Sequence, residues 1–251
     1  MRIDKFLSEK LGSRTKAQAA ISKGLVLING KTVSASYDFK EGDSLQILKA
    51  EENFVSAGGF KLSKAIKDFG ISVNGKIFAD IGASTGGFTD CLLQNGAEKV
   101  YCIDVGDSQL DSKLKDKNIV IIDSFNARNL HNGLFSEPLD GVVIDVSFIS
   151  LTYILKAVSD VIEKDKIVLA LIKPQFECES RSVGKNGIVR DNKIRLKIIK
   201  RICEFANSVK LAPQNITVAP IVKGKNIEYI VYLKKEARPA DLDDIFKTVV
   251  N

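Results

Sequence analysis

The sequence predicts an α/β protein: a doubly wound, mostly parallel sheet with helices on both faces, preceded by a smaller α+β domain. From about residue 58 onward, strand patterns and helix patterns alternate along the chain. The early strand patterns are almost continuously apolar, as in Val142–Ile144, which is typical of strands buried on both faces of a parallel sheet. Little chain separates the last two strand patterns, so we expect the final strand to be antiparallel.

Individual elements follow from hydrophobic periodicity and from glycine positions. A helix with one apolar face is expected to begin after Gly58-Gly59. Strands are predicted at 77–82, 99–104, 119–123, 141–146, 167–172, 216–220 and 228–234. Further helices are predicted near 86–95, 107–115, 150–162 and 191–206.

The first fifty residues show a different pattern, with two short helices followed by a small sheet. Gly12 ends the first helical stripe, and Ser13 is suited to be the N-cap of the second helix. Asn29-Gly30 is a strong hairpin signal within the predicted sheet. The predicted organisation is a first domain at 1–50, a linker at 51–57 and a second domain at 58–251.

Composition limits the classes of function. The 251 residues include 37 basic and 31 acidic side chains, for a net charge of +6 and a pI near 9.0, which favours an anionic partner. Four widely spaced cysteines and a single histidine disfavour a disulfide scaffold and a zinc knuckle, and a reducing, cytoplasmic compartment fits. No metal is expected. The sequence has no apolar run of membrane-spanning length and no signal-peptide core, so a membrane partner is not expected.

Basic residues of the first domain lie mostly on or beside its two predicted helices. Arg2, Lys5, Arg14 and Lys16 are the candidates for contacts with a nucleic acid backbone. A solvated helix face produces the same pattern, since basic helices are common on protein surfaces. Charge alone leaves both interpretations open.

The segment Asp80–Phe88 follows a predicted strand and opens a predicted helix, where doubly wound folds bind nucleotides. A P-loop requires a lysine where Phe88 stands, so ATP and GTP are disfavoured. The dinucleotide fingerprint requires a glycine where this chain has Ser84, so NAD is disfavoured as well. S-adenosyl-L-methionine has no phosphate and carries a positive sulfonium, and an acid such as Asp80 at the strand end suits that ligand.

Two further acids end the next two predicted strands. Asp104 lies about 20 residues after Gly82, the distance at which a carboxylate meets a ribose diol. Asp123 ends the third strand and is expected near the adenine. The candidate cofactor contacts are Asp80, Gly82, Ala83, Ser84, Thr85, Gly86, Gly87, Phe88, Asp104 and Asp123.

Four charged residues are candidates for catalysis: Lys61, Asp145, Lys173 and Glu228. Asp145 and Lys173 end strands that are expected to be neighbours, so both should point into the crevice of the cofactor. Two ammonium groups close together disfavour each other's charge, which favours proton acceptance by one of them while carboxylates orient it. A satisfied surface charge is the alternative for either lysine taken alone.

Several stretches resemble known families. The run R-I-D-K-F-L from Arg2, with Ser13-Arg14 and Asn29-Gly30, is similar to the alpha-L RNA-binding motif, or S4-like domain. Residues from about 58 to 235 resemble the FtsJ-like RNA 2'-O-methyltransferases. The most specific stretches are Gly58–Leu62, Gly82–Asp90, Asp145–Ser150 and Lys173–Glu177. The combination resembles the TlyA family of rRNA (cytidine-2'-O)-methyltransferases, whose members are also called haemolysin A.

The resemblance implies a Rossmann-like class I methyltransferase fold with a seven-stranded, mostly parallel sheet, and S-adenosyl-L-methionine as cofactor. It also implies that Lys61, Asp145, Lys173 and Glu228 form a catalytic tetrad. In that tetrad Lys173 deprotonates or steers a ribose 2'-hydroxyl for in-line attack on the methyl group. The expected partner is ribosomal RNA or a ribosomal subunit. Large-subunit RNA is favoured because the chain starts almost directly on the S4-like motif.

The chain departs from the family pattern within the glycine loop, since Ala83 stands where serine is expected. Asn126 and Arg128 match a family stretch near the cofactor pocket, but the resemblance assigns them no role. Two other functions remain as alternatives. One is a membrane-active haemolysin, and the other is an RNA-binding protein whose methyltransferase domain is inactive.

Overall fold

The computed structural model describes residues 1–22, 24–47, 53–107, 109–115, 117–178, 184 and 187–250. The chain forms two compact units, Met1–Asn53 and Phe54–Asn251. Residues 51 and 52 of the predicted linker lie outside the described residues. The second unit begins at Phe54 rather than at 58, because the buried Phe54 ring packs directly against the backbone of Gly59.

The first unit contains α1 (Ile3–Leu11), α2 (Arg14–Ser22), β1 (Val26–Ile28), β2 (Lys31–Thr32) and β3 (Leu45–Ile47). Its strands form an antiparallel sheet in the order β2-β1-β3. Ser13 Oγ accepts a hydrogen bond from Lys16 N at 3.2 Å, which confirms the predicted N-cap. Asn29 and Gly30 have φ values of 51° and 75°, as a two-residue hairpin turn requires.

The described residues of the second unit form eleven α-helices and strands that the sequence predicts, and two further α-helices that it does not. The regular elements are α3 (Ala57–Phe69), β4 (Ile77–Ile81), α4 (Gly87–Gln94), β5 (Lys99–Ile103), β6 (Ile119–Ile122), β7 (Gly141–Ile144), α5 (Leu151–Val161), β8 (Ile167–Ile172), α7 (Asn192–Ser208), β9 (Leu211–Val218) and β10 (Tyr229–Lys235). The two others are α6 (Pro174–Glu177) and α8 (Leu242–Val250). No helix in the described ranges is long and apolar enough to cross a membrane.

Seven strands form one sheet in the order β6-β5-β4-β7-β8-β10-β9. Neighbours from β6 to β8 are parallel, whereas β10 is antiparallel to both β8 and β9. The predicted fold class and the antiparallel last strand are therefore confirmed. Because parallel strands end at the same edge, the carboxyl ends of β4, β5, β7 and β8 lie together, and Tyr229 at the start of β10 pairs with Ile172 at the end of β8.

Both faces of this sheet are buried. On β7, Val142 and Ile144 pack into the core that includes α5 and α7, while Val143 packs into the core that includes α3 and α4. Two-sided burial explains why these strands read as continuous apolar runs.

The prediction of a helix at 107–115 is wrong. Ser108 lies outside the described residues, and the rest contains only a 3₁₀ turn at Ser112–Leu114. Leu110 and Leu114 are buried, and their spacing of four residues imitates a helical period although the backbone between them is irregular. Hydrophobic spacing over so short a segment does not distinguish a helix from a packed loop.

The strand predicted at 216–220 begins earlier, at Leu211. Pro213 made the early part unlike a strand in the sequence. The structure accommodates this proline because β9 is an edge strand and its pairing with β10 is irregular between Tyr232 and Leu233, opposite Pro213.

A buried carboxylate joins the two helices of the first unit. Asp4 on α1 is fully buried and accepts hydrogen bonds from Arg2 Nε at 3.1 Å, Gln18 Nε2 at 2.9 Å and Arg14 Nε at 3.0 Å. These donors, Arg2 foremost, hold the pKa of Asp4 well below its usual range. Because Arg14 and Gln18 belong to α2, the carboxylate fixes α2 against α1.

We expect Asp4→Asn to destabilise the first unit, because one amide oxygen cannot accept from three donors. A carboxyl group with a depressed folded-state pKa stabilises the fold above its unfolded pKa of about 4 and loses this contribution as the pH falls. The difference between wild type and variant should be full at pH 7 and shrink below about pH 4. Hydrogen-exchange protection factors of α1 and α2 amides in the full chain measure it. Glu9→Gln, at an exposed position of α1, is the control, and a difference that is the same at pH 7 and pH 2 would contradict the prediction.

Candidate active site

Two cavities open at the carboxyl edge of the sheet in the second unit. The larger, about 460 Å³, is walled by the chain that follows β4, β5, β6 and β7. The smaller, about 160 Å³, is walled by the start of α3, the loop after β4 and the ends of β7 and β8. The two cavities adjoin, since Gly82, Ser84, Asp145 and Ser147 line both.

The glycine loop after β4 forms much of this shared wall. Gly82 has a φ of 82°, and a Cβ atom there would lie 2.6 Å from the carbonyl oxygen of Asp145. A Cβ atom on Gly87 would lie 3.0 Å from Gly59 N, so α4 starts directly against α3. Only glycine permits such close approaches. The smaller cavity is also lined by Ala83, Thr85, Gly87 and Phe88, whereas Gly86 lies against Leu110 and Leu114 outside both walls.

Asp104, which the sequence predicts to contact a ribose diol, lies in the wall of the larger cavity. One carboxylate oxygen accepts a hydrogen bond from Ser84 N and the other from Gly106 N, both at 2.8 Å. Each oxygen keeps a second lone pair for a further donor. The carboxylate is therefore fixed in orientation and still able to accept hydroxyl groups.

The acids Asp80 and Asp123 are absent from both walls. Asp80 is fully buried beneath the loop and accepts a hydrogen bond from Thr89 Oγ1 at 2.7 Å, while its Oδ1 has no hydrogen-bond partner among the described residues. Burial raises the pKa of Asp80 to about 7. Beyond β6, the wall is formed by 125–128 instead of Asp123. The direct cofactor contacts expected of Asp80 and Asp123 stay predictions, since neither side chain lines the two cavities.

Several wall residues received no role from the sequence. They are Gln109, Phe125, Asn126, Arg128, Phe148 and Ile149. Asn126 Oδ1 accepts hydrogen bonds from the backbone N–H of Arg128 at 3.1 Å and from its Nε at 3.2 Å. The sequence signals for this pair are its match to a family stretch near the cofactor pocket and its place shortly after a strand end, where loops of doubly wound folds line ligand sites.

The structure brings the four catalytic candidates together as two ion pairs. Lys61 Nζ lies 2.6 Å from Glu228 Oε2, and Lys173 Nζ lies 2.5 Å from Asp145 Oδ1. Lys61, Lys173 and Asp145 line the smaller cavity. Each lysine thus forms an ion pair with a carboxylate. The sequence led us to expect that the two ammonium groups would lie close together, but the ion pair is the shorter contact for each lysine.

The Lys173 side chain is held from two sides. Its ammonium group also donates a hydrogen bond to Ser147 Oγ at 2.8 Å. The Lys173 and Asp145 side chains are only 12% and 20% exposed. A pair withdrawn from water to this extent interacts more strongly than a surface ion pair.

An exposed aromatic ring stands beside this pair. Phe148 is 90% exposed, lines the larger cavity and has a φ of 63°. A bulky residue in the left-handed region is strained, and such strain is concentrated at functional sites. The ring packs against Phe176, with 4.9 Å between centroids, so it is supported although it faces solvent.

The four RNA-binding candidates all lie in the first unit, and all are exposed. Arg2, Lys5, Arg14 and Lys16 have their side chains on or beside α1 and α2. Arg2 and Arg14 converge on buried Asp4 with about half of each side chain exposed, whereas Lys5 and Lys16 extend into solvent. These basic side chains are available to an anionic partner.

Family models match both units of the chain. A model described as FtsJ-like methyltransferase matches residues 54–235, and a model of the S4 domain matches residues 1–45. Three similar proteins have related descriptions. Hemolysin A of Brachyspira hyodysenteriae is 42% identical over 92% of this chain and 99% of its own length. The 16S/23S rRNA (cytidine-2'-O)-methyltransferase TlyA of Mycobacterium tuberculosis is 34% identical over 94% of this chain and 90% of its own.

The third relative, the 23S rRNA (cytidine-2'-O)-methyltransferase TlyA of Campylobacter jejuni, is 34% identical over 94% of this chain and 100% of its own length. A solved structure described as a hemolysin from Streptococcus thermophilus has a TM-score of 0.72 and 37% identity, covering 95% of this chain and 90% of that one. These matches extend over both units, and they agree with the seven-stranded sheet and its glycine loop. The chain belongs to the FtsJ-like methyltransferase family and carries an S4 domain at its N-terminal end.

Proposed function

We propose that this protein transfers the methyl group of S-adenosyl-L-methionine to the 2'-hydroxyl of a cytidine in ribosomal RNA. The observation that carries the proposal is the convergence of the Lys61–Glu228 and Lys173–Asp145 pairs on one cavity beside the glycine loop. Relatives named for this reaction match 94% of the chain at 34% identity. That extent supports the same activity here.

The larger cavity fits the proposed cofactor. Its volume of about 460 Å³ is within the range of small-molecule sites, about 300–1,000 Å³. Gly82 leaves the loop backbone and the Asp145 backbone in contact with no side chain between them, and Asp104 offers a fixed carboxylate for a ribose diol. We propose that these residues hold S-adenosyl-L-methionine, which supplies an electrophilic methyl group on a positive sulfur.

The chain's own residues must handle one proton, because methylation of a hydroxyl releases it. We propose that Lys173 contacts the 2'-hydroxyl and takes its proton while passing one of its own to Asp145. The ammonium–carboxylate pair then becomes an ammonium and a carboxylic acid, so the charge balances. Ser147 keeps Lys173 Nζ in place during this exchange. The Lys61–Glu228 pair supplies a second positioned ammonium that stabilises negative charge developing on the hydroxyl oxygen.

The S4 unit supports ribosomal RNA as the partner, because exposed basic side chains neutralise phosphates and release counterions. We propose large-subunit RNA as the substrate, in line with the name of the Campylobacter relative that this chain matches over its full length. The membrane-active alternative has only names in its favour, those of the Brachyspira relative and of the solved Streptococcus structure. An inactive methyltransferase domain is disfavoured by the two ion pairs at the cavity.

We expect the purified protein to introduce 2'-O-methylcytidine into ribosomal RNA, and Lys173→Ala to lower the single-turnover rate roughly 10²–10⁴-fold by removing positioned proton transfer. Dissociation constants for S-adenosyl-L-methionine and RNA should stay within about threefold. Mass mapping of the RNA identifies the product. Lys166→Ala is a matched control, because Lys166 pairs with Asp140 at 2.7 Å near the opposite end of β8. A Lys173→Ala rate close to that of wild type would exclude the proposed role.

We expect Phe148→Ala to lower kcat/KM for RNA roughly 5–150-fold, because stacking of a base on an aromatic ring is worth about 1–3 kcal/mol. An exposed, supported ring beside the catalytic pair is suited to hold the base of the target nucleotide. Affinity for S-adenosyl-L-methionine, measured by calorimetry, should change little. Tyr153→Ala removes another exposed aromatic ring, 60% exposed on α5, and serves as the control. Equal losses in both variants would argue against stacking.

We expect Lys5→Ala and Lys16→Ala each to weaken RNA binding and to reduce the slope of log affinity against log salt by about one. The reason is that a variant with one phosphate contact fewer releases fewer counterions when it binds RNA. Lys40→Ala, at an exposed position outside α1 and α2, should leave the slope unchanged. Filter binding across a salt series measures all three. An unchanged slope in both helix variants would show that these lysines belong to a solvated surface.

A further inference from the structure

Glu177 is a buried acid for which the reaction has no direct use. It ends α6, and its side chain is only 2% exposed. The carboxylate accepts hydrogen bonds from Leu151 N at 2.6 Å, Ser150 Oγ at 2.8 Å and an Arg201 terminal nitrogen at 3.0 Å. Three donors from two other elements therefore converge on one carboxylate.

The contacts of Glu177 are the last in a series of contacts between two segments of the chain, 173–177 and 145–151. At one end of the series, Lys173 meets Asp145 and Ser147. In the middle, the rings of Phe176 and Phe148 are in contact. At the other end, Glu177 binds the first residues of α5. The segment 173–177 thus lies alongside 145–151, and the two are fastened at both ends.

Burial and bonding have opposite effects on this carboxylate. Burial raises the pKa of Glu177 above its usual value, while the bonds from Leu151 and Ser150 and the charge of Arg201 oppose that rise. The carboxylate also lies at the N-terminus of the eleven-residue helix α5, where negative charge is favourable. Arg201 on α7 also donates a hydrogen bond to the backbone oxygen of Glu177 at 2.6 Å. The end of α6 is therefore bound by α7 as well as by α5.

We propose that Glu177 is a positioning residue that sets the separation of Lys173 and Asp145 by fixing the segment 173–177 against the start of α5. Only three residues separate Glu177 from Lys173, and they belong to α6, a single helical turn that begins with Pro174. A displacement at Glu177 is therefore transmitted to the lysine. The proposal rests on the proposed function, because it assumes that the Lys173–Asp145 pair handles the proton.

The test is Glu177→Gln in the full chain, compared with wild type at saturating S-adenosyl-L-methionine and ribosomal RNA. Glutamine has nearly the same shape, but its amide group has only one acceptor oxygen for the donors that surround it. We expect the single-turnover rate to fall roughly 10–100-fold, as for other losses of groups that orient catalytic residues. Both dissociation constants should stay within about threefold, and Glu177→Asp should restore part of the rate.

A double-mutant cycle separates positioning from a general loss of stability. If Glu177 acts through Lys173, Glu177→Gln should change the residual rate of a Lys173→Ala enzyme by less than about threefold, although it lowers the melting temperature in both backgrounds. Asp140→Asn is the matched control, since Asp140 also accepts from a backbone N–H, that of Ile77 at 3.1 Å, and pairs with a lysine. We expect this control to lower stability without a comparable loss of rate.

The outcomes distinguish this proposal from the proposed function. A wild-type protein that leaves ribosomal RNA unmethylated overturns the proposed function. Two results would overturn only the positioning role, provided that the wild-type protein methylates the RNA. One is a Glu177→Gln rate within about threefold of the wild-type rate. The other is a loss of rate from Glu177→Gln that is equally large in the Lys173→Ala background. If Glu177→Gln does not fold, Ser150→Ala removes one of the three donors, and its rate and cycle are judged by the same two criteria.

Discussion

Ion pairing at the carboxyl edge of the sheet is the interaction on which the rest of the site depends. Lys173 and Asp145 are largely withdrawn from water, and removing the partner of a charge at such a position is strongly destabilising. Parallel pairing of β7 with β8 places Ile144 beside Ala170, so the residues that follow the two strands leave the sheet at the same edge and meet there. Ser147, Phe148 and Glu177 are arranged around that contact.

Close backbone packing brings the glycine loop to the same place. Gly82 touches the backbone of Asp145, so a molecule in the larger cavity lies next to the Lys173–Asp145 pair. Asp80 lies beneath this loop, and its hydrogen bond to Thr89 ties β4 to α4. Its raised pKa reflects burial in the core, and its Oδ1 has no hydrogen-bond partner among the described residues.

Ion pairing around a buried carboxylate also organises the first unit. Asp4 is buried with two arginines and a glutamine around it, and this arrangement leaves about half of the Arg2 and Arg14 side chains facing solvent. A core carboxylate therefore orients cations that an RNA backbone can meet. Burial of one charge stabilises the helix pair and at the same time presents the opposite charges at the surface.

Residue order alone was sufficient to predict the alternating strands and helices, the hairpin at Asn29-Gly30 and the glycine loop, because these depend on local periodicity and on backbone preferences. It also identified the two lysines of the candidate site. Only the tertiary structure decided which carboxylate each lysine meets, as with Lys61 and Glu228, which lie 167 residues apart. It also showed that Asp80 is buried and that three donors converge on Glu177. Burial and the distance between remote segments are properties of the packed chain and are not encoded in any short stretch of it.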